Sequence, residues 1–198
     1  MITNGQIGST NDPSKPDGAP VGRYPSWYIS EFQASDGTRF TVRPITPQDE
    51  PLLVDFHRHL SEETVYRRYF TPLRLDVRVA HERLLQHCLI DYHNEMALVA
   101  THLDASGEPH LAAVGRFMRI AASNSAEVAF VVADQHQHHG LGTHLLNRMI
   151  DLARKEGIRM LEAVMLTDNA SMKDLFRRAG FRFMPSQGSD ISARLELH

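Results

Sequence analysis

The chain has 198 residues, 42% hydrophobic and 23% charged, a composition typical of one soluble globular domain with an apolar core. Its formal net charge of −3 and the lack of a basic stripe argue against nucleic acid as the main partner. The single cysteine, Cys88, excludes an intrachain disulfide framework and favours a reducing, cytoplasmic location. The sequence shows neither an apolar run long enough to span a bilayer nor a secretory leader, so no membrane partner is expected.

The first 26 residues are rich in Gly, Pro, Ser, Asn and Asp. Such a segment cannot bury enough apolar area to offset the entropy lost when its chain is ordered. We therefore predict a flexible tail over residues 1–26 and a single domain over residues 27–198.

The first half of the domain is predicted to hold one strand followed by helices. Residues 39–45 predict the strand, and helices are predicted over residues 49–60, 62–70 and 78–86. Ser61 is placed to act as the N-cap of the second helix, because its hydroxyl can accept a hydrogen bond from an unpaired amide.

The second half alternates strands and helices. Apolar runs over residues 96–103, 111–120 and 126–133 are separated by turn signals and predict an antiparallel meander. The elements after the meander form a β-α-β unit, which predicts a right-handed crossover between parallel strands. These later elements are a helix over residues 140–156, a strand over 160–166, a helix capped by Asp168 or Asn169 and running to 178, and a strand over 191–197.

The turn over residues 137–142, between the meander and the long helix, carries the main functional signal. The first turn of a helix has unpaired N–H groups and the positive end of the helix dipole. Gly140 and Gly142 remove side chains that would keep a phosphate away from those groups. The turn therefore predicts a site for a phosphate-bearing ligand.

Two common phosphate-binding patterns do not fit this turn. The Rossmann fingerprint requires three glycines and a ribose-binding acid about 20 residues later. A P-loop requires Gly-Lys-Ser or Gly-Lys-Thr, which does not follow. The turn instead satisfies Gln/Arg-x-x-Gly-x-Gly/Ala at every fixed position, from Gln137 to Gly142.

In this pattern the chain resembles the GNAT superfamily of acyl-CoA-dependent N-acyltransferases. Residues 169–181 resemble the family's Asn-x-x-apolar segment that ends in Gly-Phe, and residues 42–50 resemble its first strand and helix start. The resemblance covers residues 40–185. It implies an α+β fold of the α/β/α type, with a central mixed, mostly antiparallel sheet flanked by helices and a splayed pair of parallel central strands.

A narrower resemblance points to the acyltransferase domain of bacterial protein lysine acetyltransferases. It is carried by residues 43–45, 60–70 and 126–132. In that subgroup a glutamate on the central strand is the general base, and Glu127 matches it.

Chemistry independent of the family also asks for a base. A lysine amine has a pKa of about 10.4, so only about one in 2,500 is neutral near pH 7. Attack on a thioester therefore needs a nearby proton acceptor. Glu127 lies in an apolar run, where we expect an acid to be paired or desolvated; the alternative is a solvated carboxylate on an edge strand.

The resemblance implies acetyl-CoA as the acyl donor. Backbone amides of the turn would hold the pyrophosphate, the splayed strand would pair with the pantetheine amides, and Asn169 would contact the pantetheine arm besides capping its helix. Core packing is the alternative role of the strand residues, and the two roles are compatible. The implied cofactor-binding residues are Phe130, Val131, Val132, Gln137, His138, His139, Gly140, Leu141, Gly142, Thr143, Asn169 and Phe176.

Two features depart from simple expectations. Phe176 stands where many relatives have a tyrosine that protonates the leaving thiolate, so the thiolate leaves unprotonated or another group supplies the proton. The histidines at 136, 138, 139 and 144 suggest metal chelation, but a turn around an anion does not provide a chelating geometry, so we predict no metal.

Cys88 lies away from the cofactor motifs, which argues against an acyl-cysteine intermediate.

The sequence thus predicts an acetyl-CoA-dependent N-acetyltransferase that acts by direct attack, with a protein lysine as candidate acceptor. A small amine or amino acid acceptor is one alternative, and a weakly active acyl-CoA-binding sensor is another. The expected partners are acetyl-CoA, the amine acceptor and a second copy in a homodimer. Residues 66–69 are candidates for lining the acceptor cleft, and solvation of a helix face or packing explains them equally well.

Overall fold

The computed structural model describes residues 24–121, 123–185 and 188–198. The predicted tail falls mainly on residues 1–23, which lie outside the described residues. Tyr24, the first described residue of the predicted tail, contacts the domain: its hydroxyl donates a hydrogen bond to the Pro44 carbonyl at 3.1 Å.

Eight strands form one sheet in the described part of the chain, in the order β1-β2-β3-β4-β5-β6-β8-β7. All neighbours are antiparallel except β5 and β6, which are parallel. This arrangement confirms the predicted mixed, mostly antiparallel sheet and its meander. The strands are β1 (Ser30–Gln33), β2 (Arg39–Pro44), β3 (Glu95–Leu103), β4 (Pro109–Arg119), β5 (Ser125–Val132), β6 (Met160–Leu166), β7 (Arg182–Phe183) and β8 (Asp190–Glu196).

Helices cover both faces of the sheet. They are α1 (Glu50–His59), α2 (Glu62–Tyr69), α3 (Leu75–Arg78), α4 (His81–Cys88), α5 (Leu141–Lys155) and α6 (Ala170–Arg178), with short 3₁₀ turns at Ser26–Tyr28, Pro47–Asp49 and Asp134–His136. Apolar side chains of α1, α2 and α4 form one core with one face of the sheet, and those of α5 and α6 form a second core. None of the helices among the described residues has the length and apolar character needed to cross a bilayer.

The amphipathic pattern of α5 explains its position. Leu141, Leu145, Met149 and Leu152 recur at helical spacing, and all four are buried against the sheet. Gly157 follows the helix with φ +72°, in the left-handed region that glycine tolerates best. Both the helix and its end confirm the sequence prediction.

The helix predicted over residues 78–86 is present as α4, but it begins three residues later, at His81. Arg78 belongs to the separate helix α3, because Ala80 with ψ 127° interrupts the helical path. Arg78, at the end of α3, is buried and donates a hydrogen bond to Glu62 at 2.8 Å. A tertiary ion pair thus stabilises an end to α3 that the periodicity alone does not show.

An ion pair joins β2 to the start of α1. Arg43 donates two hydrogen bonds to the Asp49 carboxylate, at 2.7 and 2.6 Å, and the Thr46 amide donates a third at 2.7 Å. Burial would raise the pKa of Asp49, but the hydrogen bonds from Arg43 and Thr46 outweigh it and hold the pKa below its usual range. This pair gives a structural reason for the Arg-Pro-Ile motif at residues 43–45.

Candidate active site

A cleft opens where the parallel strands separate. β5 and β6 pair only from Ser125 with Met160 to Glu127 with Glu162. β5 continues to Val132 and stays paired with β4 along its other edge. Among the described residues, the backbone of β5 beyond Glu127 therefore has no strand partner on the β6 side, as predicted for a splayed pair.

A cavity of about 620 Å³ occupies this cleft. Its walls come from α2, the end of β5, the turn before α5 and the start of α6. Such a volume lies within the usual range for small-molecule and cofactor sites. Nine of the twelve predicted cofactor-binding residues line it: Phe130, Val131, Val132, Gln137, His138, Gly140, Gly142, Thr143 and Asn169.

The turn before α5 exposes backbone amides to this cavity. His138 and Gly140 adopt left-handed conformations, with φ of 64° and 91°, and the first hydrogen bond of α5 runs from the His144 amide to the Gly140 carbonyl. The amides of Leu141, Gly142 and Thr143 precede that bond and have no backbone acceptor in the described chain. Unpaired amides at the positive end of a helix dipole are the arrangement in which helix N-termini bind anions.

Gly142 keeps this site open without being required by packing. A Cβ added there would lie 3.6 Å from Val132 and 3.7 Å from Leu175, which are ordinary contact distances. A methyl group is therefore tolerated, whereas a larger side chain would extend into the cavity.

A match to a known protein family agrees with these structural features. The chain matches the family described as "Acetyltransferase (GNAT) domain" over residues 39–182, well over half of its length. The chain belongs to the GNAT acetyltransferase family. It is thereby an N-acetyltransferase, of a family that transfers acyl groups from acyl-CoA to amines.

Similar proteins agree with this assignment. The chain is 30% identical to acetyltransferase PA5475 of Pseudomonas aeruginosa over 82% of its own length and 86% of that protein. It is 34% identical to acetyltransferase Pat of Mycolicibacterium smegmatis over 75% of its own length, but spans only 43% of Pat. The GNAT domain of S. lividans PAT superposes with a TM-score of 0.78 at 30% identity, covering 88% of this chain and 100% of that domain. The predicted resemblance to Pat-type GNAT domains is confirmed.

Three of the predicted cofactor residues do not line the GNAT cavity. Leu141 is fully buried, and its side chain packs in the core. The Phe176 ring stacks on Phe130 with centroids 5.8 Å apart and is also buried. His139 is half-buried, with Nδ1 3.9 Å from an Asp36 carboxylate oxygen.

Glu127 lies on β5 at the point where the parallel pair ends. Its side chain is exposed and has no hydrogen-bond or ion-pair partner among the described residues, so the predicted paired or desolvated environment is wrong. The alternative, a solvated carboxylate on an edge strand, is right about the exposure and wrong about the edge, because β5 lies between β4 and β6. The carboxylate is thus unpaired and accessible at the start of the splay.

Of the two predicted caps, Asp168 and Asn169, it is Asn169 that caps α6. Its side-chain oxygen accepts a hydrogen bond from the Met172 amide at 3.2 Å. The residue is buried and lines the cavity, so the cap also forms part of the wall.

A hydrogen-bond network joins α2 to the turn before α5. The Gln137 amide donates to the Val132 carbonyl at 3.0 Å and to the Thr64 hydroxyl at 3.3 Å. Thr64 and Ser61 in turn donate their hydroxyl hydrogens to Asp134, at 2.8 and 2.6 Å. Asp134 and Thr64 were not predicted from the sequence; the Ser61 cap, which accepts from the Thr64 amide, was the available signal.

Asp134 is expected to stabilise the fold in a pH-dependent way. Burial would raise its pKa, but hydrogen bonds from Ser61 and Thr64 outweigh burial and lower the pKa. A depressed folded-state pKa gives stability that is present above the unfolded value of about 3.9 and is lost as pH falls through the folded value. Asp134→Ala should lower the free energy of unfolding at pH 7 by about 1–2 kcal/mol, and by less at pH 3.

Urea melts of both proteins at the two pH values measure this difference. Asp151→Ala is the matched control, because Asp151 is an exposed acid whose ion pair with Arg154 spans 3.4 Å on the surface of α5. An equal loss of stability at pH 7 and pH 3 would show that the Asp134 charge is not the cause.

The remaining histidines and the cysteine have packing roles. His144 stacks on Phe32 with ring centroids 4.4 Å apart, and His136 packs edge-to-face against Phe40 at 5.3 Å. No group of three or more metal-ligating side chains is positioned to hold a metal ion in the part of the chain that the structure describes. Cys88 is buried, and burial raises the pKa of its thiol to about 11, which disfavours a nucleophilic thiolate.

Proposed function

We propose that this protein transfers an acetyl group from acetyl-CoA to an amine by direct attack, with Glu127 as the general base. The observation that carries the proposal is the cavity that joins the amide-lined turn before α5 to the unpaired edge of β5. One end of that cavity suits the pyrophosphate; on β5 the lining begins at Phe130, three residues after Glu127, which does not itself line the cavity.

We propose one direction for acetyl-CoA along these walls. The amides of Gly142 and Thr143, two residues that line the cavity, would hold the pyrophosphate at the start of α5. The pantetheine would run along Phe130, Val131 and Val132, whose backbone lacks a strand partner on that side. Gln137 would act by positioning the turn, since its side-chain amide is bonded to the protein itself.

Glu127 would accept the proton that the attacking amine loses. The amine nitrogen forms a bond to the thioester carbonyl carbon, and Glu127 takes the proton directly or through a water. The tetrahedral intermediate then expels the CoA thiolate. Phe176 cannot protonate that thiolate, and with a thiol pKa of about 8.5 the thiolate is a tolerable leaving group without an acid.

A protein lysine is the acceptor that the similarity to Pat suggests. Because the chain spans less than half of Pat, this acceptor is carried over as a proposal only. A small amine or amino acid is the second candidate, favoured by the cationic wall described below. The cytoplasmic location and the homodimer stay predictions from the sequence.

Binding of acetyl-CoA should raise the Tm. At a ligand concentration 100 times Kd the folded state gains about 2.7 kcal/mol. For a domain of this size each kcal/mol corresponds to about 2–4 °C, so we expect a rise of about 5–11 °C by differential scanning fluorimetry.

Acetyl-pantetheine, which lacks the pyrophosphate, is the matched ligand control. It should raise the Tm less than acetyl-CoA at the same concentration, because it cannot use the amides of the turn. The absence of any rise with millimolar acetyl-CoA would contradict the assigned cofactor.

A further inference from the structure

A cluster of cationic side chains lies between α2, α4 and the sheet, on the Glu127 side of β5. The guanidinium carbons of Arg68 and Arg83 each lie 5.2 Å from the centroid of the Tyr69 ring. The two guanidinium carbons are therefore separated by at most twice that distance. Both side chains are half-buried, as is Tyr69.

Two carboxylates near this cluster serve other guanidinium groups. Glu62 accepts from Arg78, and Glu95 pairs with Arg116. Arg68 and Arg83 have no hydrogen bond or ion pair with any of the described residues, and the buried Nε of Arg83 is without an acceptor. Glu127 acts on Arg68 by its charge without forming an ion pair with it, so the protein offsets the positive charge of this wall only in part.

Two neighbouring histidines respond to the same charge. Burial and the nearby Arg78 and Arg83 lower the pKa of His57 to about 4. Burial and the nearby Arg116 lower the pKa of His87 to about 4 as well, and His87 Nδ1 accepts a hydrogen bond from Arg116 at 2.8 Å. Neutral histidines add no positive charge, so the free charge of the wall rests on the arginines.

Arg68 is the member of this cluster that a ligand can reach. It lines the cavity, and burial lowers its pKa while the charge of Glu127 acts in the opposite direction. The neighbouring Arg67 also lines the cavity but is paired with Glu63 at 2.5 Å on the helix surface. An accessible, unpaired guanidinium therefore lies within the electrostatic reach of the proposed base.

We infer that the acceptor carries a carboxylate close to its amine and that Arg68 binds this carboxylate. An amine facing Glu127 and a carboxylate facing Arg68 would match the signs of the two side chains. An arginine suits the role because its planar fork donates two parallel hydrogen bonds to a carboxylate. The carboxylate is either the α-carboxylate of an amino acid or an acidic side chain beside a lysine. The inference rests on the proposed acetyl transfer.

Matched acceptors test it. Release of free CoA thiol measures the rate with each acceptor. Each of the twenty amino acids is compared with its own C-terminal amide, and each lysine peptide with Asp next to the lysine is compared with the peptide that has Asn there. We expect at least one carboxylate-bearing member to exceed its neutral partner at least about tenfold in kcat/KM. The class in which that preference occurs, amino acids or peptides, identifies the source of the carboxylate.

Arg68→Gln should abolish this preference. It should raise KM for the carboxylate-bearing acceptor about 10- to 100-fold, as loss of a charged hydrogen bond does, with little change in kcat or in KM for acetyl-CoA. Arg68→Lys should keep part of the preference because it keeps the charge. Arg74→Gln is the matched control, since Arg74 is exposed and pairs with Asp76.

Three results would overturn the inference. They are equal rates for both members of every pair, an equal loss for both members in Arg68→Gln, and a matching rise in KM for acetyl-CoA. The Tm of Arg68→Gln should not fall, because the change removes a charge next to Arg83. If acetyl-CoA raises the Tm of the wild type but the preference is absent, this inference alone fails; if acetyl-CoA does not raise the Tm, the proposed function fails first.

Discussion

Glu127→Gln is expected to lower kcat/KM for acetylation by about 10²- to 10⁴-fold, the usual contribution of a general base. Glutamine keeps the size of the side chain but cannot accept the proton from the attacking amine. Since Glu127 has no partner within the described chain, its replacement should leave the free energy of unfolding nearly unchanged. Acetyl-CoA should raise the Tm of the variant by the same amount as that of the wild type.

Glu162→Gln is the control that isolates position from chemistry. Glu162 is the parallel register partner of Glu127 on β6, and its carboxylate lies 3.3 Å from the Arg194 guanidinium. The Glu162→Gln variant should acetylate at close to the wild-type rate. Similar losses in both variants would indicate a general effect of charge at the splay, and full activity in Glu127→Gln would remove the base assignment.

The central elements of the fold could be predicted because their patterns are local. The meander and α5 have apolar periodicities long enough to identify type and approximate bounds. β1 and β7 were missed, because four and two residues are too short to show a period, and their pairing with β2 and β8 is decided by tertiary contact.

The cofactor side of the site could be predicted to a greater extent than the acceptor side. The turn before α5 and the Asn169 cap are contiguous in sequence, so the glycine spacing and the capping residue indicate them directly. The acceptor wall is assembled from α2, α4 and the sheet. No local spacing reports that Arg68 and Arg83 meet on one tyrosine ring, or that Asp134 binds the start of α2.

The exposure of Glu127 illustrates a limit of the same kind. An apolar run around an acid predicts burial only if both faces of the sheet are covered at that point. On β4 the register partner of Glu127 is Met118, whose side chain is exposed as well, so the sheet face is uncovered here. The residues around Glu127 do not encode whether an element distant in sequence covers that face.

Gly142→Trp should prevent acetyl-CoA from raising the Tm. The indole would occupy the cavity next to the backbone amides of residues 142 and 143 and exclude a phosphate from them. Loss of two or more charged hydrogen bonds corresponds to a rise in Kd of at least about 100-fold. Calorimetric titration with acetyl-CoA measures it, and the Tm without ligand reports whether the fold is retained.

Gly142→Ala separates the effect of filling the cavity from the loss of a glycine. Its methyl group would meet Val132 and Leu175 at ordinary contact distances, so both the fold and the binding of acetyl-CoA should persist. Binding retained in the alanine variant and lost in the tryptophan variant would place the pyrophosphate at this turn. Binding retained in both would move the pyrophosphate away from the start of α5, and the proposed direction of acetyl-CoA toward Glu127 would then have no anchor.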